Sequence, residues 1–275
     1  MKYEEVEMDY NTVLYEVCGP AGQVVAITMN RPDQRNAINR EMAEELLDAF
    51  RRADDEPGAK VILFSGAGKS FCAGGDLSVL PTFDHYTMVD WLAKTGLSIV
   101  RAITENNKVV IAKVKGHCIA GGLELALACD LIYASERTKL GVTEVSMGIL
   151  PGWGGTVRLA RCLPIFRGRE ILLSGSKDYT AREFYDMGLL TRVYGEEEFD
   201  AKVDERVAMF CSRPADALRM GKAVMKEAFD GMPLDSAMNL EREAIAWLFH
   251  SELVTGLREA AVAAFEAMKQ QQQGG

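Results

Sequence analysis

The stretch Val109-Val110-Ile111-Ala112-Lys113-Val114, running on into Gly116-His117-Cys118-Ile119-Ala120-Gly121-Gly122-Leu123-Glu124-Leu125-Ala126-Leu127-Ala128, decides the fold. Its first six residues are β-branched or apolar apart from Lys113 and read as a buried strand. Gly121-Gly122 then opens an apolar helix. A strand, a small-residue turn and a helix in that order form half of a β-α-β unit. The first N–H groups of such a helix have no internal partner and carry partial positive charge. An oxyanion placed there is stabilised without a cationic side chain, and Gly121 offers its N–H with no side chain in the way. Glu124 lies in the first turn of this otherwise apolar helix. It is either a partner for the helix dipole or an active-site carboxylate.

Similar units lie upstream. Val13–Val17 alternates weakly, and Gln23–Asn30 is β-branched and apolar; a Gly/Pro turn between them predicts a hairpin. Met42, Leu46, Leu47 and Phe50 recur at helical spacing and predict a helix over Arg40–Asp54. Glu56-Pro57-Gly58 ends it. Lys60–Phe64 is a short buried strand, a helix is expected within Tyr86–Glu105, and Leu131-Ile132-Tyr133 is strand-like again. Alternating units of this kind imply a parallel sheet flanked by helices. After Pro214 the pattern becomes helical only, over Ala217–Phe229, Leu234–Phe249 and Thr255–Lys269. The expected division is an α/β core over 1–205, a helical region over 206–269 that caps the core or joins subunits, and a disordered polar tail over 270–275.

The chain has 275 residues, enough for a sizeable core without disulfide or metal staples. It holds 31 Lys and Arg against 40 Asp and Glu, a formal charge of −9, which argues against nucleic acid as a partner. No apolar run approaches a membrane span; the longest, Leu123–Ala134, is interrupted by Glu124 and Asp130. Met1-Lys2-Tyr3-Glu4-Glu5 lacks the layout of a signal peptide, and the six cysteines contain no C-x-x-C pair, so a cytoplasmic location is expected. His85, His117 and His250 are too dispersed for a zinc motif, and no metal is expected.

Two further stretches carry candidate chemistry. Lys69-Ser70-Phe71-Cys72-Ala73-Gly74-Gly75-Asp76-Leu77 follows a strand, which places it at a carboxyl end of the sheet, where ligands collect. It is otherwise a plain glycine-rich turn. Leu140–Thr156 holds five glycines and a proline in a shaped loop, and within it lies Glu144, twenty residues after Glu124. Two carboxylates from different elements in small or apolar settings suit divided acid and base roles.

Together these motifs resemble the crotonase (enoyl-CoA hydratase/isomerase) superfamily over about residues 12–250. The resemblance rests on Asn30-Arg31-Pro32, Arg35-Asn36-Ala37-Ile38, Phe71-Cys72-Ala73-Gly74-Gly75-Asp76-Leu77, Gly121-Gly122-Leu123-Glu124-Leu125-Ala126, Cys129-Asp130, Gly148–Thr156, Arg158-Leu159 and Ala181-Arg182-Glu183 with Gly188-Leu189. It implies an α/β fold with a crotonase-like ββα spiral core and a C-terminal helical extension. It also implies an acyl-CoA thioester whose carbonyl oxygen lies between two backbone N–H groups, by position those of Ala73 and Gly121. Coenzyme A would be held near Arg35 and Ala37, and by Gly74, Asp76 and Leu77, although Arg35 reads equally as a solvated surface charge. No separate cofactor is implied, because coenzyme A is part of the substrate. Hydratases of the family carry glutamates at both matching positions, so Glu124 and Glu144 point to hydration of a 2-enoyl-CoA. Isomerisation of a 3-enoyl-CoA, or hydration of an alicyclic or specialised acyl group, is the alternative. A non-catalytic thioester- or RNA-binding role is opposed by the charge and the glutamate pair. The family usually forms homotrimers, often stacked into homohexamers.

Two regions depart from the pattern. The basic cluster expected near the CoA phosphates is reduced to Lys269 and Arg258. Ser78–Thr95 is the least family-like segment; Phe83, Met88 and Trp91 read as core or pocket wall, and Asp84, His85 or Tyr86 as contacts to a polar acyl group. Trp153 reads equally as packing or pocket wall.

Overall fold

The computed structural model of the chain describes residues 10–250 and 252–273. Met1–Glu5, Gly274 and Gly275 lie outside the described residues, as does the side chain of Lys269. The chain divides into two compact units with the boundary after Cys211.

The first unit is built on a six-stranded sheet of β1 (Val13–Cys18), β2 (Val24–Met29), β3 (Val61–Gly66), β4 (Val109–Val114), β6 (Leu131–Ser135) and β9 (Arg192–Tyr194), in that spatial order. A second sheet of three short strands orders β5 (His117–Ile119), β7 (Lys139–Gly141) and β8 (Tyr179–Thr180). The predicted hairpin is present, with β1 antiparallel to β2 and Val13 opposite Met29. From β2 to β9 the main sheet is parallel. The first four residues of β4 are all buried, because helices cover both faces of a parallel sheet.

Helices follow the strands: α1 (Arg40–Asp55), α2 (His85–Trp91), α3 (Leu97–Thr104), α4 (Gly121–Ala128), α5 (Gly155–Cys162), α6 (Ile165–Ser174), α7 (Ala181–Met187) and α8 (Phe199–Cys211). In α1, Asn39 caps the first turn by accepting from the Met42 N–H at 2.9 Å, and Met42, Leu46, Ala49, Phe50 and Ala53 form the buried face. Phe50, Phe64 and Phe71 meet edge to face at 5.1 and 5.2 Å, joining α1, β3 and the loop after β3 into one core. The helix expected within Tyr86–Glu105 is two helices joined by a π turn at Leu92–Gly96.

The strand that opens the second sheet is a continuation of β4. Gly116 turns the chain with φ +66°, and a Cβ there would overlap the Lys69 carbonyl oxygen, so only glycine fits. β5 then pairs in parallel with β7, Ile119 opposite Gly141. Strands of two or three residues are too short for alternation to show, which is why this sheet escapes the sequence reading.

The second unit contains α9 (Ala215–Phe229), α10 (Leu234–Leu248) and α11 (Glu252–Gln273), and no strand among its described residues. α9 packs on α10, with the Arg219 guanidinium 5.8 Å from the centre of the Trp247 ring. α11 continues through Gln270–Gln273, which the sequence reading leaves as a disordered tail; a run of glutamines favours helix once a preceding turn is formed. α8, which the sequence reading divides at residue 205, belongs whole to the first unit. No helix among the described residues is long and apolar enough to cross a membrane.

Candidate active site

The segment 71–76 runs between two neighbours. On one side it bridges β5: the Cys72 N–H donates to the His117 carbonyl at 2.9 Å, and the Ile119 N–H donates to the Cys72 carbonyl at 3.0 Å. On the other side it meets residues 35–38. There Ala73 N–H donates to the Arg35 carbonyl at 3.0 Å, Ile38 N–H to the Gly74 carbonyl at 2.8 Å, and Asp76 N–H to the Ile38 carbonyl at 2.9 Å.

This pairing corrects one expected site residue. The N–H of Ala73 is spent on Arg35 and points away from α4, so Ala73 is not a free donor for an oxyanion. Gly75, two residues on, brings its nitrogen beside Gly121 instead. Gly74 has φ +98°, which rotates the next peptide and turns the Gly75 N–H towards α4; a Cβ built on Gly121 would stand 3.7 Å from the Gly75 nitrogen. Among the described residues neither the Gly75 nor the Gly121 N–H has a hydrogen-bond acceptor. Ala120, just before Gly121, holds φ +52° and ψ −127°, a strained conformation at the entry to α4. The N–H of Ala120 is fixed to the Gly141 carbonyl at 2.9 Å.

The β5–β7 register also brings the two glutamates together. Glu124 follows Ile119 on one strand and Glu144 follows its partner Gly141 on the other, so both leave the second sheet at the same end. Both are buried, at 3% and 6% exposure. One oxygen of Glu124, Oε1, accepts from the backbone N–H groups of Trp153 and Gly155, each at 2.7 Å. These donors stand at the N-terminus of α5, whose dipole favours the carboxylate. Glycine at 155 eases this approach, since a Cβ there would lie 3.0 Å from Glu124 Cγ, closer than ordinary contact. Burial outweighs the hydrogen bonds and pushes Glu124 up to about 7, with the charge of Glu144 adding to the rise. Burial raises Glu144 as well, and its buried Oε2 has no hydrogen-bond partner.

The residues expected to hold coenzyme A lie around the outer edge of segment 71–76. Arg35 is exposed with φ +50°. Ala37 is half-buried, and its carbonyl accepts from Arg31 Nη1 at 2.5 Å. Gly74 is buried against Ala120, and Leu77 is 62% exposed. Asp76 is used within the loop: its carboxylate accepts from Ser78 N and Oγ and pairs with Arg31 at 3.0 Å. Those bonds hold it below the usual carboxylate range.

Asn36, quoted in the motif but given no role there, is fully buried and accepts from Arg31 N while donating to the carbonyls of Ala67 and Ser70. It ties the loop after β2 to the loop after β3. In the least family-like segment, Asp84 caps α2 in a reciprocal pair with Thr87, which occupies its carboxylate. The His85 and Tyr86 rings meet edge to face at 5.3 Å, with Tyr86 81% exposed. Phe83 and Trp91 pack at 5.7 Å with the Arg40 guanidinium over both rings. In the second unit the Arg258 guanidinium lies 4.5 Å from the Phe249 ring centre.

Two unpartnered N–H groups at the head of α4, with a buried carboxylate one turn further on and a second beside it, can polarise a carbonyl and move protons next to it. Comparison with known proteins places the chain. The family described as enoyl-CoA hydratase/isomerase matches residues 20–272. A Mycobacterium bovis protein named "Probable enoyl-CoA hydratase" is 33% identical over 94% of this chain and 96% of its own length. A crotonyl-CoA hydratase from Syntrophomonas wolfei is 30% identical over 89% and 92%. The crystal structure of an enoyl-CoA hydratase from Thermoplasma volcanium superposes with a TM-score of 0.83 at 33% identity, over 90% of this chain and 96% of that one. The chain belongs to the enoyl-CoA hydratase/isomerase family, the crotonase superfamily, and has its α/β fold of two sheets with C-terminal helices.

Proposed function

We propose that this chain is an enoyl-CoA hydratase that adds water reversibly, in the syn sense, across the 2,3 double bond of an acyl-CoA thioester. The observation that carries this reading is the burial of Glu124 and Glu144 beside the free N–H groups of Gly75 and Gly121. The thioester oxygen accepts from those two N–H groups, which stabilise the negative charge that develops on it. A water held between the glutamates gives its oxygen to Cβ. Glu124, kept in an acceptor geometry by Trp153 and Gly155, takes up a proton from that water. Glu144, with Oε2 unpaired, delivers a proton to Cα. Dehydration runs through the same groups in reverse. The names of the relatives support the same reaction class. Arg35, Ala37, Gly74 and Leu77 are proposed to border the coenzyme A, with Asp76 shaping the loop. A homotrimer or homohexamer is proposed from the family resemblance, and light scattering at three or six chain masses would support it.

Loss of the conjugated enoyl-thioester absorbance with crotonyl-CoA tests the reading. The wild type is expected to bleach the band, and Glu124→Gln and Glu144→Gln to slow it about 10²–10⁴-fold while still binding CoA esters. An unchanged rate in Glu144→Gln would overturn the assigned roles. Conversion of a 3-enoyl-CoA to its 2-enoyl isomer without hydration would identify an isomerase instead.

A further inference from the structure

The ring of Trp153 bridges two parts of the site that the reaction itself does not connect. One edge lies over the oxyanion helix: a Cβ built on Gly121 would stand 3.5 Å from Cζ3 and 3.6 Å from Cε3. The opposite edge lies on the π turn between α2 and α3, where a Cβ on Gly96 would overlap Nε1. At the other end of that turn Leu92 fills the space beside Gly152, with Cδ2 2.6 Å from where a Cβ would be. The indole is 6% exposed and belongs to the core. A π turn widens a helix by one residue, and insertion of a side chain is a known cause of such distortion.

The placement of the ring bears on how far an acyl chain can extend. A thioester oxygen held at Gly121 puts C1 beside that glycine. Cα and Cβ then stand between Glu124 and Glu144. The indole that lies over Gly121 is packed on Gly96, and Leu92 on Gly152, with no room even for a methyl group at either contact, so acyl carbons beyond Cβ on that side of the site meet a closed wall.

We propose that Trp153, wedged between Gly121 and Gly96, is a specificity-determining residue that closes the acyl end of the site and restricts the enzyme to short-chain enoyl thioesters. This rests on the hydratase reading above. The ring sets the depth of the pocket, while the backbone N–H of the same residue holds Glu124, so acyl length and the position of the carboxylate are set by one residue.

The test is kcat/KM for crotonyl-, 2-hexenoyl-, 2-octenoyl- and 2-decenoyl-CoA on the wild type, Trp153→Ala and Trp153→Phe. Wild type is expected to favour crotonyl-CoA over 2-decenoyl-CoA by at least about 10²-fold, since exclusion of a single methylene from a closed apolar pocket is worth about tenfold or more and the longer chain adds several. In Trp153→Ala the ratio is expected to shift towards the long chain by at least about tenfold, mainly through KM, with Trp153→Phe between. A merely structural role would lower all four substrates together and leave the ratio unchanged, which overturns the proposal. So does a wild type that uses 2-decenoyl-CoA as readily as crotonyl-CoA, a result that needs no variant to fold. If the wild type hydrates none of the four, the hydratase reading fails separately. Titration with butyryl-CoA and decanoyl-CoA then decides the pocket: tighter butyryl-CoA supports the closure, and equal or tighter decanoyl-CoA overturns it.

Discussion

The backbone N–H of Trp153 donates to Glu124 Oε1 at 2.7 Å, and the same oxygen accepts from Gly155 at the same distance. Glu124 is therefore a carboxylate held by main-chain donors in a nearly dry site, where burial and the charge of Glu144 oppose its ionisation. Its pKa of about 7 is the balance of these effects, and it has consequences for both stability and rate.

The stability consequence has a definite sign. Between 4.5 and about 7 the unfolded chain has lost the Glu124 proton while the folded chain keeps it, so stability falls as pH rises through that window. Above it the deficit is constant, on the order of 3 kcal/mol. Glu124→Gln keeps the acceptor oxygen and removes the charge. It is expected to unfold at higher urea than wild type at pH 8, with the gap closing towards pH 4. A gap that does not depend on pH would show that the carboxylate is not destabilised by burial.

For the rate, hydration needs Glu124 ionised and Glu144 protonated. The kcat/KM profile for crotonyl-CoA is expected to be bell-shaped, falling on the acid side, where both raised carboxyls are protonated, and on the alkaline side, where both are ionised. The two limbs belong to the coupled pair. A profile flat from pH 5 to 9 would remove both groups from proton transfer.

Gly75 separates the two candidate donors. A Cβ on Gly75 meets nothing within 4 Å, so Gly75→Ala is expected to keep most of the activity. Gly75→Pro deletes the N–H and is expected to lower kcat by about 10²–10³. Equal activity in the two variants would show that this N–H does not hold the oxyanion.

Asn36 makes three hydrogen bonds from a fully buried side chain at φ +56°. Asn36→Ala leaves those partners unsatisfied and is expected to cost about 3 kcal/mol or more in urea unfolding. Asn36→Gly relieves the positive φ and is expected to recover a part of that loss. Identical stabilities for the two would mean that the backbone conformation carries no strain.

Much of the site was legible in local sequence. The apolar run of β4 and the Gly121-Gly122 opening of α4 place a helix N-terminus after a strand, and both follow from side-chain type and spacing alone. Glu124 and Glu144 stand out because each is a charge among apolar or small residues. Gly75 and Ala73 could not be told apart in this way. In an extended segment N–H direction alternates, so Cys72 faces β5 and Ala73 faces Arg35; the positive φ of Gly74 breaks the alternation and turns Gly75 back towards α4. A Gly-Gly pair marks that such a break is permitted but not which way the peptide turns.

The sequence by itself determined the β-α units, the two candidate carboxylates and the glycine at the head of α4, because each rests on chemistry within a few residues. Only the tertiary structure decided which N–H lies unbonded beside Gly121, what holds Glu124 and where the Trp153 ring lies. Those depend on the register of β5 with β7 and on contacts between residues 29 or more apart in the chain, such as Glu124 with Trp153 and Gly155. Long-range pairing of this kind is selected by packing the whole core, and no local pattern encodes it.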